Sequence, residues 1–260
     1  MSVLAIDIGN SRIGVGLFSL GKSEEPARRL LHHNWQSELK AALTDLWQAK
    51  KINDGPEVYP QGAVIASVVP DLTGPVQTLI KNTLHLDTQR LGEDLKIPMK
   101  TNLTDESTLG VDRLLAALCA YVNAEQACVV ISAGTALTVD YVDQNGIFQG
   151  GAIAPGLQLG ARALHEFTAQ LPLASLDPPK GTCGHNTTEA LNLGLYAAAR
   201  GAVRELVEGY ASQLGHWPHV VATGGDAQRL LADSGLVDSL IPDLVLQGAA
   251  LAWEHHKMET

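Results

Sequence analysis

Asp7 closes an apolar run, Ala5-Ile6-Asp7, and after Ile8 comes Gly9-Asn10-Ser11. A carboxylate is costly to bury, so its position at a strand end suits a group that opens towards a ligand. One reading is a magnesium-linked acid beside phosphate oxygens, acting through water because magnesium keeps several of its own. The plainer reading is an Asx-turn residue bonded to its own backbone. A second run in the other half, Val130-Ile131-Ser132-Ala133-Gly134-Thr135-Ala136, has the same design. In such turns glycine lets the backbone approach an anion, successive N–H groups form a cradle, and a small polar side chain adds a donor. Two of them can hold one nucleotide phosphate tail between two halves. Val64 to Val69 and Val220 to Gly225 also read alike, each a short apolar strand ending in a turn, and this supports a duplication.

Gly110-Val111-Asp112-Arg113 opens the helix expected to join the halves, facing the cleft. There a carboxylate can take a hydroxyl proton and an arginine can clamp a carboxylate or phosphate. An acid at a helix N-terminus beside a solvated cation is the bland alternative. Gly150-Gly151-Ala152-Ile153-Ala154-Pro155-Gly156 holds more permissive residues than a strand-to-helix link needs, which fits either a tight turn or backbone packed against a ligand. Thr223-Gly224-Gly225-Asp226 suits the flat face of a nucleoside. The nine histidines are scattered and none is assigned to metal or catalysis. Trp35, Trp47, Trp217 and Trp253 do not interleave with basic residues and read as packing groups.

The elements that must position these groups follow from periodicity. Strands are predicted at Val3–Ile6 and Ile13–Phe18, as a hairpin, and at Ala63–Val69. Leu39, Leu43, Leu46 and Trp47 predict a helix capped by Ser37, followed by a loop over Lys50–Pro60. Leu72, Val76, Leu79 and Ile80 predict a second helix, and Leu114, Leu115, Leu118, Tyr121 and Val122 a third. Strands at Ala127–Ile131 and Leu137–Val142, a turn at Asn145-Gly146, a long helix near Thr188–Leu214, a strand at Val220–Ala222 and helices near Ala227–Asp233 and Leu244–His255 complete the chain. The class is α/β with mixed sheets. The expected division is 1–120 and 121–260.

With 260 residues at 45% hydrophobic content, the chain can form two cores of about 100 to 150 residues each. Its net charge of −10 argues against nonspecific binding to nucleic acid or anionic membranes, which draws on clustered Lys and Arg. Met1 leads straight into a strand, and no run approaches the roughly 18 apolar residues of a membrane span, so a soluble cytoplasmic protein is expected. Cys119, Cys128 and Cys183 lack disulfide or zinc spacing and read as small buried hydrophobes.

Taken as a set, Asp7-x-Gly9-Asn10-Ser11, Gly110-x-Asp112-Arg113, Gly134-Thr135-Ala136-x-Thr138-x-Asp140, Gly150-Gly151-x-Ile153-x-Pro155-Gly156 and Thr223-Gly224-Gly225 resemble, in order and spacing, the type III pantothenate kinases over nearly the whole chain. The resemblance implies the acetate kinase, sugar kinase and actin superfamily, with two ribonuclease-H-like domains. It implies phosphorylation of pantothenate by ATP, the first step of coenzyme A synthesis, in a homodimer with substrate near the subunit interface. On it, Asp7 organises Mg2+, Ile8, Gly9, Asn10, Ser11 and Arg12 serve the phosphates, and Gly134, Thr135, Gly224 and Gly225 hold ATP. Asp112 is the general base, and Gly110, Val111, Arg113 and Thr187 bind pantothenate.

Three departures stand out. Ser132 replaces the family's usual Asp, which is associated with bound K+ or NH4+; it also occupies the place of Asp7 in the internal repeat. Leu103 replaces a tyrosine that contacts pantothenate, at a cost of roughly 1 kcal/mol for the lost hydroxyl, and Glu106 replaces a proline. Two other readings compete: a different small-molecule kinase or phosphatase of the superfamily, and a catalytically silent nucleotide-binding homologue acting as a regulator.

Overall fold

The computed structural model describes residues 2–19, 21–53 and 60–259, with side chains throughout except at 47–53. The elements begin with strands β1 (Ser2–Ile8), β2 (Arg12–Ser19), β3 (Lys22–Ser23) and β4 (Arg28–Leu31), then helix α1 (Trp35–Asn53). Strand β5 (Gly62–Ser67), helix α2 (Pro70–Leu84), strands β6 (Thr88–Arg90) and β7 (Lys100–Thr101) and helix α3 (Val111–Ala124) follow. Next come β8 (Cys128–Ala133), β9 (Ala136–Val142), β10 (Ile147–Pro155), α4 (Leu157–Glu166) and α5 (Thr187–Leu214). The last elements are β11 (His219–Thr223), α6 (Ala227–Leu231), β12 (Ser239–Leu240) and α7 (Leu244–Glu259). They form two compact units: Met1–Met99 with Thr104–Cys119 and Asp243–Thr260, and Lys100–Leu103 with Ala120–Pro242.

In the first unit β1 pairs antiparallel with β2 and parallel with β5, β3 and β4 both pair with β2, and β6 lies parallel to β5. β1 is apolar almost throughout because both its faces are covered. Leu4, Ile6 and Ile8 meet the core that includes Leu39, Leu43, Val76 and Ile80 of α1 and α2. Val3 and Ala5 point the other way, into a core with Leu115 of α3 and Leu246, Ala249 and Trp253 of α7. Side chains alternate along a strand, so Asp7 shares the α3–α7 side with Val3 and Ala5. Helix α2 starts with Pro70, where a missing N–H is harmless, and stops at His85, whose φ of 58° is left-handed and whose N–H donates to the Lys81 carbonyl.

The second unit repeats this plan. β8 pairs antiparallel with β9 and parallel with β11, β10 continues from β9, and β12 lies parallel to β11. β8 thus stands where β1 stands, β9 where β2 does and β11 where β5 does. Val129, Ile131 and Ala133 pack with Leu137, Val139, Tyr141 and α5, which leaves Ser132, Thr138 and Asp140 on the opposite face.

Several expectations change. Helix α7, which sequence order assigns to the second half, packs on β1, β2 and β5 of the first sheet. The helix expected behind Ser37 begins at Trp35, and the Ser37 hydroxyl donates to the Asn34 carbonyl from inside it instead of capping it. Of the expected Lys50–Pro60 loop, residues 50–53 are helical and 54–59 lie outside the described residues, as does the Trp47 side chain. The strand expected to reach Val69 stops at Ser67, because Pro70 already starts α2. Gly150 to Pro155 is strand, not a turn: it continues β10 past a bulge, and a Cβ at Gly151 would fall on the Val139 carbonyl of the neighbouring strand. Cys119 and Cys128 are buried but Cys183 is exposed, and Trp217 is 48% exposed, so neither of the latter is a core group. Among the described residues no helix is long and apolar enough to cross a membrane.

Candidate active site

The first unit brings Asp7 and Asp112 into one electrostatic neighbourhood. Asp7 is the penultimate residue of β1; the turn after it is closed by the Gly9 N–H donating to the Arg12 carbonyl at 3.0 Å. Asn10, Ser11 and Arg12 are exposed, so this turn is open for a ligand. Ile8 differs: its side chain is fully buried in the apolar core and its carbonyl accepts the Val68 N–H, so it is a packing residue. Asp7's strand partners are Gly14 on β2 and Ala66 on β5, both too small to crowd its carboxylate. Burial pushes the Asp7 carboxyl up to about 7, the negative charge of Asp112 adds to the rise, and Arg29 opposes it.

Asp112 lies in the first turn of α3, where the helix dipole favours an acid. Its Oδ1 accepts the Arg113 N–H at 2.9 Å. The carboxylate folds back over Gly110, where any Cβ would sit 2.5 Å from that oxygen, which explains the glycine two residues before the acid. Burial raises the Asp112 carboxyl, against the hydrogen bond from the Arg113 N–H and the Arg113 charge. The outcome is a base stronger than an exposed aspartate, beside a second acid that lacks full charge compensation. Val111 packs against the α3–α7 core. An underneutralised carboxylate next to an open turn fits a hydrated divalent cation, with Asp7 as its protein contact.

The second unit holds the other turn. The Gly134 N–H donates to the Ala136 carbonyl at 3.0 Å, and the turn is gripped on both flanks. On one side the Gly156 N–H donates to the Thr135 carbonyl at 3.1 Å, and a Cβ on Gly156 would land on the Gly134 carbonyl. On the other, Gly224 has a φ of 99° and a Cβ there would land on the Ala133 carbonyl, while the Asp226 N–H donates to that carbonyl at 3.0 Å. Gly134, Thr135, Gly224 and the adjoining Gly225 are therefore one tightly packed assembly. Ser132 faces Thr138 on β9 and Thr223 on β11. The Thr138 hydroxyl donates to the buried Asp140 carboxylate at 3.2 Å, and Thr223 donates to the Pro242 carbonyl at 3.1 Å.

Leu103 and Thr187 belong to this second unit. Leu103 follows β7 and packs over Gly150, where a Cβ would lie 3.1 Å from its Cδ2. Thr187 is the exposed first residue of α5. Asn186 caps that helix by accepting the Glu189 N–H, and Glu189 accepts the His185 N–H in return. Two features escape sequence reasoning. Arg29 has no motif, and its nearness to Asp7 depends on strand pairing. The hydroxyl row of Ser132, Thr138 and Thr223 comes from three strands, although Thr138 and Thr223 both lie inside quoted motifs.

The family described as type III pantothenate kinase matches residues 3–209. A type III pantothenate kinase from Dehalococcoides mccartyi is 32% identical over 261 residues, covering 97% of this chain and 97% of that one. A solved structure described as a conserved Baf family transcriptional activator from Campylobacter jejuni has a TM-score of 0.62 at 19% identity, over 98% of this chain and 99% of that one. The component A of (R)-2-hydroxyglutaryl-CoA dehydratase from Acidaminococcus fermentans has a TM-score of 0.56 at 14% identity, over the whole of both chains. These structural likenesses concern the fold alone, which is the duplicated actin-like arrangement of two ribonuclease-H-like units.

Proposed function

We propose that Asp7 and Asp112 carry the reaction of this chain, which belongs to the type III pantothenate kinase family and phosphorylates pantothenate with ATP in coenzyme A synthesis. The observation behind this assignment is the pairing of the two acids in one unit, both raised by burial, with the Asp112 charge felt at Asp7.

In this reading Asp112 accepts the proton of the primary hydroxyl as its oxygen attacks the γ-phosphoryl group in line. Its raised basicity suits that task, and its hydrogen bond from the Arg113 N–H holds the carboxylate in position. Arg113 holds the substrate carboxylate, with Gly110, Val111 and Thr187 as further pantothenate contacts. The N–H groups of the 9–12 turn and of Gly134 and Thr135 absorb phosphate charge, and Gly224 and Gly225 face the nucleoside. Mg2+ bound at Asp7 would neutralise charge on the phosphate oxygens.

Ser132 bears on monovalent cations. Its hydroxyl ligates a cation without adding charge, so we read dependence on K+ or NH4+ as weakened here. A homodimer fits the exposed apolar side chains of the second unit, Ile153 at 65%, Phe167 at 86% and Leu173 at 55% exposure. A cytoplasmic location agrees with a kinase acting on soluble metabolites.

The test is a coupled ADP-release assay with ATP, Mg2+ and pantothenate, with and without K+. Pantothenate-dependent turnover that persists without K+ is expected. ATP binding with no turnover in either condition would instead favour the silent-regulator reading.

A further inference from the structure

Asp7, Gly14 and Arg29 are register partners across β1, β2 and β4. They form one row of the first sheet, and side chains at paired positions point to the same face. Gly14, in the middle, has no side chain. A Cβ there would stand 3.7 Å from the Asp7 Cβ and 3.4 Å from Leu246 Cδ1, so the gap over Gly14 is bounded by Asp7 and by the first turn of α7. Arg29 stands across this gap, and its Nη2 donates to Oδ1 of Asp243. Asp243 in turn accepts the Gln247 N–H through its main-chain carbonyl, which ties it to the start of α7. The Arg29 side chain is thus held by Asp243 and is 39% exposed.

We propose that Arg29, anchored by Asp243, is a further phosphate-binding residue, presenting its guanidinium to the polyphosphate of ATP held at the Asp7 turn. The inference rests on the assignment of that turn as a phosphate site. The chemistry is that of a planar, permanently charged donor set facing phosphate oxygens. Asp243 restricts the rotamer and so reduces what is lost on binding, while Gly14 keeps the path clear. Arg29 would complement Arg113, proposed to hold the acceptor substrate.

The deciding experiment compares Arg29→Gln, Arg29→Lys and Asp243→Asn in equilibrium binding of ATP without metal and of MgATP, together with steady-state kinetics. Arg29→Gln is expected to weaken ATP binding about tenfold with the pantothenate KM within about twofold, Arg29→Lys to recover part of the loss, and Asp243→Asn to weaken it less than about threefold. If Arg29→Gln and Asp243→Asn weaken ATP binding equally and the double variant adds nothing, the pair is only a clasp on α7 and the proposal is overturned. Unchanged ATP binding in Arg29→Gln overturns it too. A second measurement uses the unmutated protein: arginine-specific dicarbonyl modification mapped by mass spectrometry is expected to reach Arg29 and to be blocked by ATP, and unprotected modification contradicts the proposal. Asp7→Asn is the separate control. Full turnover in that variant would remove the phosphate-site assignment itself, whatever Arg29 does.

Discussion

The two halves place different chemistry at equivalent points of the same sheet plan. In the first, the residue before the turn is Asp7, flanked in register by Gly14 and Ala66. In the second it is Ser132, flanked by Thr138 and Thr223. The first site has a carboxylate at the strand end, space and an exposed turn; the second has hydroxyls there, with the nearest acid, Asp140, set back on β9 and hydrogen-bonded by Thr138, and a turn clamped by Gly156 and Gly224. On the proposed reading, the same sheet plan serves two tasks: the first half would hold the cation and the reacting phosphoryl group, and the second would hold the rest of the nucleotide.

Breaking the charged half should have the largest effect. Asp112→Asn is expected to lower kcat about 10² to 10⁴-fold with ATP affinity nearly unchanged, read by ADP release and equilibrium binding. Transfer near the original rate would remove Asp112 as the base. The equivalent loss of a hydroxyl from the second half, Thr138→Val, is expected to change kcat far less.

The charge at Asp7 also has a stability consequence. Its carboxyl is raised from 3.8 to about 7, so the folded, ligand-free protein holds this proton more tightly than the unfolded chain. The stabilisation is complete below 3.8 and is lost as pH rises through about 7. Asp7→Asn, which cannot ionise, should therefore gain about 3 kcal/mol relative to the parent between pH 5 and pH 8, while losing activity. Thermal melts of both proteins at the two pH values, in chelator and without nucleotide, would show it; a constant difference in Tm would mean that the buried charge carries no such cost.

The clamped turn and the open turn can be compared with one methyl group each. A Cβ on Gly156 would meet the Thr135 oxygen at 2.7 Å and fall on the Gly134 carbonyl, whereas a Cβ on Gly9 would find the Arg12 oxygen at an ordinary 3.6 Å. Gly156→Ala should cost about 1–3 kcal/mol and weaken ATP binding, and Gly9→Ala less than about 1 kcal/mol. Denaturant midpoints decide it, and equal losses would mean that the two turns are equally constrained.

Much of this contrast was legible in the sequence. Each turn follows a buried run and contains glycine, and Gly110-x-Asp112-Arg113 opens a helix with clear periodicity. Local pattern did not reveal the strand nature of Gly150 to Pro155: glycine and proline there look like a loop, whereas Gly151 is required by contact with Val139 of the adjacent strand. Nor could sequence order say that α7 returns to the first sheet, since a helix apolar on several faces fits either half. Ser132 was readable as the counterpart of Asp7, but its hydroxyl neighbours and the Asp7–Gly14–Arg29 row exist only once strands pair.

The smallest expected effect would bring the halves closer together. Ser132→Asp places a carboxylate between Thr138 and Thr223, on the face that already carries the buried Asp140. Two neighbouring acids in poor solvent contact repel and favour either a proton or a bound cation, and hydroxyl oxygens at hand would complete a shell for a weakly hydrated ion. The variant should therefore gain a K+ dependence of a few-fold in rate or ATP affinity, while the parent stays nearly flat across K+ concentration. Equal, flat rates in both would mean that charge at this position is not what couples a monovalent cation to the reaction, and the contrast between the halves would then lie in the turns alone.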